Sequence, residues 1–131
     1  LLIGGLPLPQ GGTALNSVEI YDPASNTWRQ VAPLAQARFG HTATLLPDGR
    51  VLVTGGARLW ETSWDDARAI LSSVEIYDPA SDTWSDLPSL QQARAEHTAT
   101  VLPDGRVLVT GGRATHNAVL DSVEILKLDV Q

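Results

Sequence analysis

HTATLLPDGRVLVTGG, at residues 41–56, returns as HTATVLPDGRVLVTGG at residues 97–112. The two stretches differ only at Leu45 against Val101. A second block behaves in the same way. SVEIYDPASNTW at 17–28 and SVEIYDPASDTW at 73–84 differ only at Asn26 against Asp82. Both blocks recur at an offset of 56 residues, 41 to 97 and 17 to 73. A third copy of the second block opens as SVEILKLD at Ser122 and then departs, and LLIGG at 1–5 matches the tail of the first. Self-similarity at such a period marks an architecture of stacked repeats, in which each unit buries its apolar face against a neighbour.

Within a unit the local signals are strands and turns. Val51-Leu52-Val53-Thr54 and Val107-Leu108-Val109-Thr110 are short β-branched, apolar runs that stop at a Gly pair. Pro47-Asp48-Gly49 and Pro103-Asp104-Gly105 precede them, and Asp-Gly supplies the positive-φ positions of a tight hairpin. Residues 41–46 are therefore expected to pair antiparallel with 50–54, and 97–102 with 106–110. Val18–Tyr21 and Val74–Tyr77 alternate as a further strand, ended by Asp22-Pro23 and Asp78-Pro79. Trp28 and Trp84 open a fourth, and Pro33 and Pro88 follow where the chain leaves the unit. Residues 60–72 hold two Trp and several acidic residues without an apolar stripe, and read as loop.

The composition narrows the function. The chain has 131 residues, a formal net charge of −6, one Lys and no Cys. An acidic balance argues against a nucleic-acid surface, which needs clustered Lys and Arg. No apolar run approaches the roughly 18 residues of a membrane-spanning helix. The absence of Cys removes disulfides, thiol catalysis and cysteine-held metals. No signal peptide is read at Leu1-Leu2-Ile3-Gly4-Gly5, and a start inside a repeat reads as a cut.

Four short strands in about 50 residues, repeated, describe propeller blades. The order Arg38, His41, Asp48-Gly49, Val51-Leu52-Val53, Gly55-Gly56, Val74-Glu75-Ile76-Tyr77-Asp78-Pro79, Trp84 resembles a kelch repeat. The resemblance covers nearly the whole chain. It implies an all-β, kelch-type β-propeller segment of four-stranded antiparallel blades, about two and a half of them. The units are expected at 1–34 (incomplete), 35–90 (complete) and 91–131 (incomplete). The wording of the first block is also similar to bacterial secreted kelch-like proteins and to the propeller of galactose-oxidase-like proteins. That likeness implies an extracellular or cell-surface bacterial setting.

The repeated residues read as scaffold. The Gly pairs follow strands but open no helix, so they suit close blade packing better than phosphate binding. His41 and His97 recur without companion ligands at metal spacing, which favours structural imidazoles. Arg38 and Arg94, three positions earlier, are expected to pair with an acid across a blade interface, Glu19 or Glu75. Tyr21, Tyr77, Trp28 and Trp84 read as packing between stacked sheets.

Function is sought where the units differ. The segments between the Gly pair and the SVEI strand are LPLPQGGTALN at 6–16, ARLWETSWDDARAILS at 57–72 and RATHNAVLD at 113–121. By the kelch resemblance these loops gather on one propeller face and line its binding surface. The candidate binding residues are Arg58, Trp60, Trp64, Asp65, Asp66, His116 and Asn117. Trp60 and Trp64 have no counterparts in the other units, and read either as binding anchors or as plugs that pack the loop on its blade. Glu61 with Asp65-Asp66 lacks the alternating oxygen pattern of a calcium loop and reads as a solvated acidic turn.

No catalytic set emerges. The Tyr–Cys crosslink of galactose-oxidase-like enzymes cannot form without Cys. The sialidase Asp-box Gly is missing before Trp84, and no G-x-S-x-G elbow occurs. The expectation is a non-catalytic module that binds protein or glycan through these loops, with no cofactor, metal or nucleic acid. Further blades of a parent chain, or self-association, would complete the ring. The alternative is a scaffold within a larger secreted galactose-oxidase-like enzyme whose catalytic residues lie elsewhere.

Overall fold

Three antiparallel sheets follow one another along the chain in the computed structural model, which describes residues 2–5, 14–58 and 70–128. The first contains β1 (Leu2–Gly5), β2 (Leu15–Asp22) and β3 (Thr27–Val31). The second contains β4 (Thr42–Leu45), β5 (Val51–Thr54), β6 (Val74–Asp78) and β7 (Thr83–Leu87), in that order across the sheet. In the third, β8 (Thr98–Val101) pairs with β9 (Val107–Thr110). A small hairpin, β10 (Arg113–Ala114) and β11 (Ala118–Val119), precedes β12 (Val123–Leu126), which pairs on the far side of β9. The expected all-β blade pattern is therefore present, with one four-stranded sheet between two three-stranded ones.

The hairpin turns differ in detail from the expectation. Gly49 takes φ +93° and Gly105 φ +90°, whereas Asp48 and Asp104 stay in the ordinary half of φ space. The connection is a three-residue loop, closed by Gly49 N–H donating to the Leu46 carbonyl at 3.0 Å. Asp48 serves as an acceptor instead. It takes the Arg50 amide at 3.0 Å and the Arg50 Nε–H at 2.8 Å, which hold its carboxyl below the usual range.

The turn after β6 is built by side chains. Asp78 accepts the Ala80 amide at 3.0 Å, and Ser81 and Thr83 hydroxyls meet at 2.7 Å. Asp82 adopts φ +53°, a region Asn and Asp tolerate better than other side chains, and Asn26 does the same at +55°. The one difference between these blocks thus falls between two residues suited to the same strained turn.

The two faces of the middle sheet are divided by the two-residue period of its strands. Leu52, Val74 and Ile76 pack with Val107 and Val109 of the third sheet. Val51, Val53 and Tyr77 pack with Val18 of the first. This explains why Val51–Thr54 reads as an unbroken apolar run: β5 is buried on both sides. Its repeat, β9, is buried at Val107 and Val109 and half-buried at Leu108 and Thr110. The linkers between sheets carry Leu34 and Leu90 into these same two cores.

Candidate functional site

The repeated polar residues fasten linkers to blades and one blade to the next. Arg38, wholly buried in the linker that leads into β4, donates through Nη2 to Glu75 Oε2 at 2.7 Å. Its Nη1 donates to the Gly55 carbonyl at 2.7 Å, and Nη2 also reaches Ser73 Oγ at 2.9 Å. Burial pulls the guanidinium below its usual pKa, while the Glu75 carboxylate favours its charged form. Glu75 in turn accepts the amides of Ala35 and Gln36 at 2.8 and 3.2 Å. Arg94 repeats the arrangement with Glu124 at 3.0 Å. Glu75 is therefore the partner of Arg38, as expected, whereas the partner of Arg94 is Glu124 and neither arginine uses Glu19. The pair also does not bridge two blades. It fastens each linker to the third strand of the blade that the linker enters.

His97 sits between the second and third sheets. Its Nε2 lies 2.8 Å from Thr54 Oγ1 and 3.2 Å from Thr42 Oγ1. Burial, then the nearby charges of Arg94 and His41, push its pKa down to about 4. His97 is a neutral, structural imidazole at neutral pH, and no group of three or more metal-ligating side chains forms among the described residues. The glycines make room for it. A Cβ on Gly55 would collide with the Arg94 carbonyl and come within 2.8 Å of His97 Cε1. One on Gly112 would stand 2.9 Å from His97 Cβ.

At the outer rim Tyr77 and Trp84 rings lie 5.1 Å apart, tilted by 41°. Trp84 Nε1–H donates to the Ala32 carbonyl at 2.8 Å. The Ala32 amide donates to Asp82 Oδ1 at 3.0 Å, which also accepts the Tyr77 hydroxyl at 2.7 Å. Both backbone groups of one residue in the preceding linker are thus held by the next blade. Burial, with the Asp82 carboxylate next, pushes Tyr77 up to about 12.

The non-repeated connections all leave from the Gly-pair end of the second strand. Leu71 and Leu120 amides donate to the carbonyls of Gly56 and Gly112 at 2.8 and 2.9 Å, closing the base of two loops. Arg58 is half-buried, and its carbonyl accepts the Ala14 amide at 3.2 Å, so the first and second connections touch. Trp60, Trp64, Asp65 and Asp66 lie outside the described residues. The third connection folds as the β10–β11 hairpin rather than as open loop. Backbone bridges to Ala95 and a 3.0 Å pair between Arg113 and Glu96 tie it down. His116 stands at its tip with φ +63°, next to Asn117. Sequence reasoning passed over Glu124, Asp82 and Ala32 as joint residues. Glu124 was legible, since it occupies the Glu75 position of the third SVEI block.

Successive antiparallel sheets of three and four strands, packed face to face, with repeated Arg–Glu clamps on their linkers and a His–Thr contact between the second and third, form a segment of a β-propeller. The Kelch motif matches residues 9–35 and 38–91, and the chain belongs to the kelch-repeat family. It is 32% identical over 125 residues to Kelch-like protein terF of Aspergillus terreus, covering 92% of this chain and 26% of that protein. It is 33% identical over 127 residues to mouse Kelch-like protein 40, covering 97% and 19%. Against zebrafish Kelch repeat and BTB domain-containing protein 12 it is 30% identical over 116 residues, covering 83% and 18%. The chain spans about a fifth to a quarter of the length of these curated relatives. They are fungal and animal kelch-like proteins, and give no support to a bacterial or galactose-oxidase-like placement. No helix among the described residues is long and apolar enough to cross a membrane.

Proposed function

We propose that this chain is a non-catalytic, protein-binding part of a kelch propeller, with units at 1–34, 35–90 and 91–131. One observation carries the reading. The repeated polar and aromatic side chains that bear chemistry are spent on joints, so the surface left to discriminate a partner is the non-repeated connections at the Gly-pair end. Arg58, Trp60, Trp64, Asp65 and Asp66 on the second connection, and His116 and Asn117 on the third, are the proposed contacts. Kelch-like names among the relatives support protein as the partner in preference to glycan.

Two sheet faces also support further blades at either side. Val123 and Ile125 are 56% and 49% exposed, whereas their counterparts Val74 and Ile76 are 1% and 7%. Trp28 is 55% exposed, while its counterpart Trp84 is seated on Ala32. The test compares proteins captured by the wild-type chain with those captured by a Trp60→Ala/Trp64→Ala variant whose thermal melt is unchanged. Loss of a specific partner is expected. Identical capture by both, or retention on a glycan array alone, would overturn the assignment.

A further inference from the structure

The segments 38–57 and 94–113 differ at four positions, and at two of the four an uncharged residue becomes a charged one. Gly40 is replaced by Glu96, and Ala57 by Arg113. In space the two replacements meet, with Arg113 Nε–H donating to Glu96 Oε2 at 3.0 Å. The backbone beneath them is the same in both units. Phe39 and Ala57 exchange amide bonds of 2.9 and 2.8 Å, and Ala95 and Arg113 exchange bonds of the same two lengths. The ion pair therefore overlies a bridge that the second unit closes without it.

The conformation of Glu96 makes its side chain hard to explain as scaffold. Gly40 has φ +66° and Glu96 φ +56°, so both units use a left-handed residue at this step. The Glu96 amide donates from that conformation to the Gly40 carbonyl at 2.7 Å. Glycine suits such a φ, and a long side chain does not. Packing does not require the side chain either, since it is 55% exposed and that of Arg113 42%. A residue kept in an unfavourable backbone region directs attention to what its side chain does. Here it holds the first residue of the third connection. Arg113 and Ala114 pair with Val119 and Ala118 in the β10–β11 hairpin, and His116 stands at the tip with φ +63°. The ion pair adds a side-chain tie to the backbone bonds that fasten the hairpin at Ala95 and Gly112. Gly40 and Ala57 offer no charges for such a tie at the second connection.

We propose that Glu96 and Arg113 are a positioning pair that pre-orders the third connection, so that its tip, His116-Asn117, meets a protein partner in one conformation. A surface ordered before contact loses less entropy on binding than one ordered by it. This inference rests on the loop reading above and adds to it two residues at the base of the loop.

The experiment is hydrogen exchange at the Leu120 amide of the whole chain, the amide that donates to the Gly112 carbonyl, with thermal melts alongside. Glu96→Gln keeps the side-chain length and removes the charge. It should speed exchange about threefold, the size ordinary for an exposed ion pair, with the melt unchanged. Sodium chloride at about 1 M should speed the wild-type amide by a similar factor and leave the variant at its own rate. The exchanged pair, Glu96→Arg/Arg113→Glu, should restore slow exchange. An unchanged Leu120 rate in Glu96→Gln, or no restoration by the exchanged pair, would overturn the proposal. Retention of the protein captured in the preceding test should fall several-fold with Glu96→Gln and be lost with His116→Ala. Loss with His116→Ala alone would overturn the positioning role and leave the loop reading standing. Full retention by both variants would overturn the two together.

Discussion

The two joints between neighbouring sheets are made from nearly identical sequence, and among the described residues the first is hydrogen-bonded at the outer rim and the second at the inner. The first joint is hydrogen-bonded at the outside, where Tyr77, Asp82 and Trp84 grip Ala32. On its inside Leu45 is 69% exposed, because no strand is described inside β1. The second joint is hydrogen-bonded at the inside, where His97 bridges Thr42 and Thr54. A repeated residue makes its repeated contact where the neighbouring strand is among the described residues, as Arg38 and Arg94 do. What His41 or Trp28 does depends on which strand of a neighbouring unit stands next to it.

The linker clamps separate the joints most strongly. Arg38→Ala leaves the Glu75 carboxylate buried without its cation, and the expected loss is roughly 3–5 kcal/mol of unfolding free energy. Arg94→Ala should cost less, because the Glu124 side chain is 13% exposed against 2% for Glu75. Urea titration of both variants checks the order. Equal losses would mean that solvent access at Glu124 does not relieve the unpaired charge.

Acid should attack the second joint selectively. His97 has its pKa depressed in the folded chain, so the unfolded chain binds its proton first. The stability it confers is complete above pH 6.5 and declines as the pH falls towards 4. At about 1.4 kcal/mol per pH unit the loss reaches roughly 3 kcal/mol across that window. A His97→Gln variant should lack this dependence, as followed by thermal melts from pH 7 to 4. An unchanged slope in that variant would place the titrating group elsewhere.

The smallest expected effect sharpens the outer rim. Trp84→Phe keeps an aromatic ring beside Tyr77 but removes the Nε1–H donated to Ala32, and should cost about 1 kcal/mol. Hydrogen exchange at the Ala32 amide should rise with it, since Asp82 alone would then hold that residue. A variant as stable as wild type, with unchanged exchange, would show that ring packing alone secures this joint.

Much of the scaffold was legible in the amino-acid order. The strand at Val51–Thr54, its pairing with 42–45, the stop at Asp78-Pro79 and the Trp84 strand all follow from two-residue alternation and turn chemistry, which are local. The partner of Arg38 was within reach because Glu75 is the acid of a repeated block. The partner of Arg94 was missed because the shorter third connection, 113–121, brings Glu124 nearer in sequence than a fixed offset implies. Of the candidate binding residues, Arg58, His116 and Asn117 fall on described segments at the Gly-pair end, and the other four lie outside them.

By itself the sequence determined the repeat, the strand order within a unit and the departure at Leu126-Lys127-Leu128, because each is written in residues a few positions apart. Only the tertiary structure decided which face of each strand meets which neighbour. It alone set His97 against two threonines of the preceding blade and Trp84 on the Ala32 carbonyl of the preceding linker. Those contacts join residues 43 to 55 positions apart, and their geometry is fixed by the stacking of whole sheets.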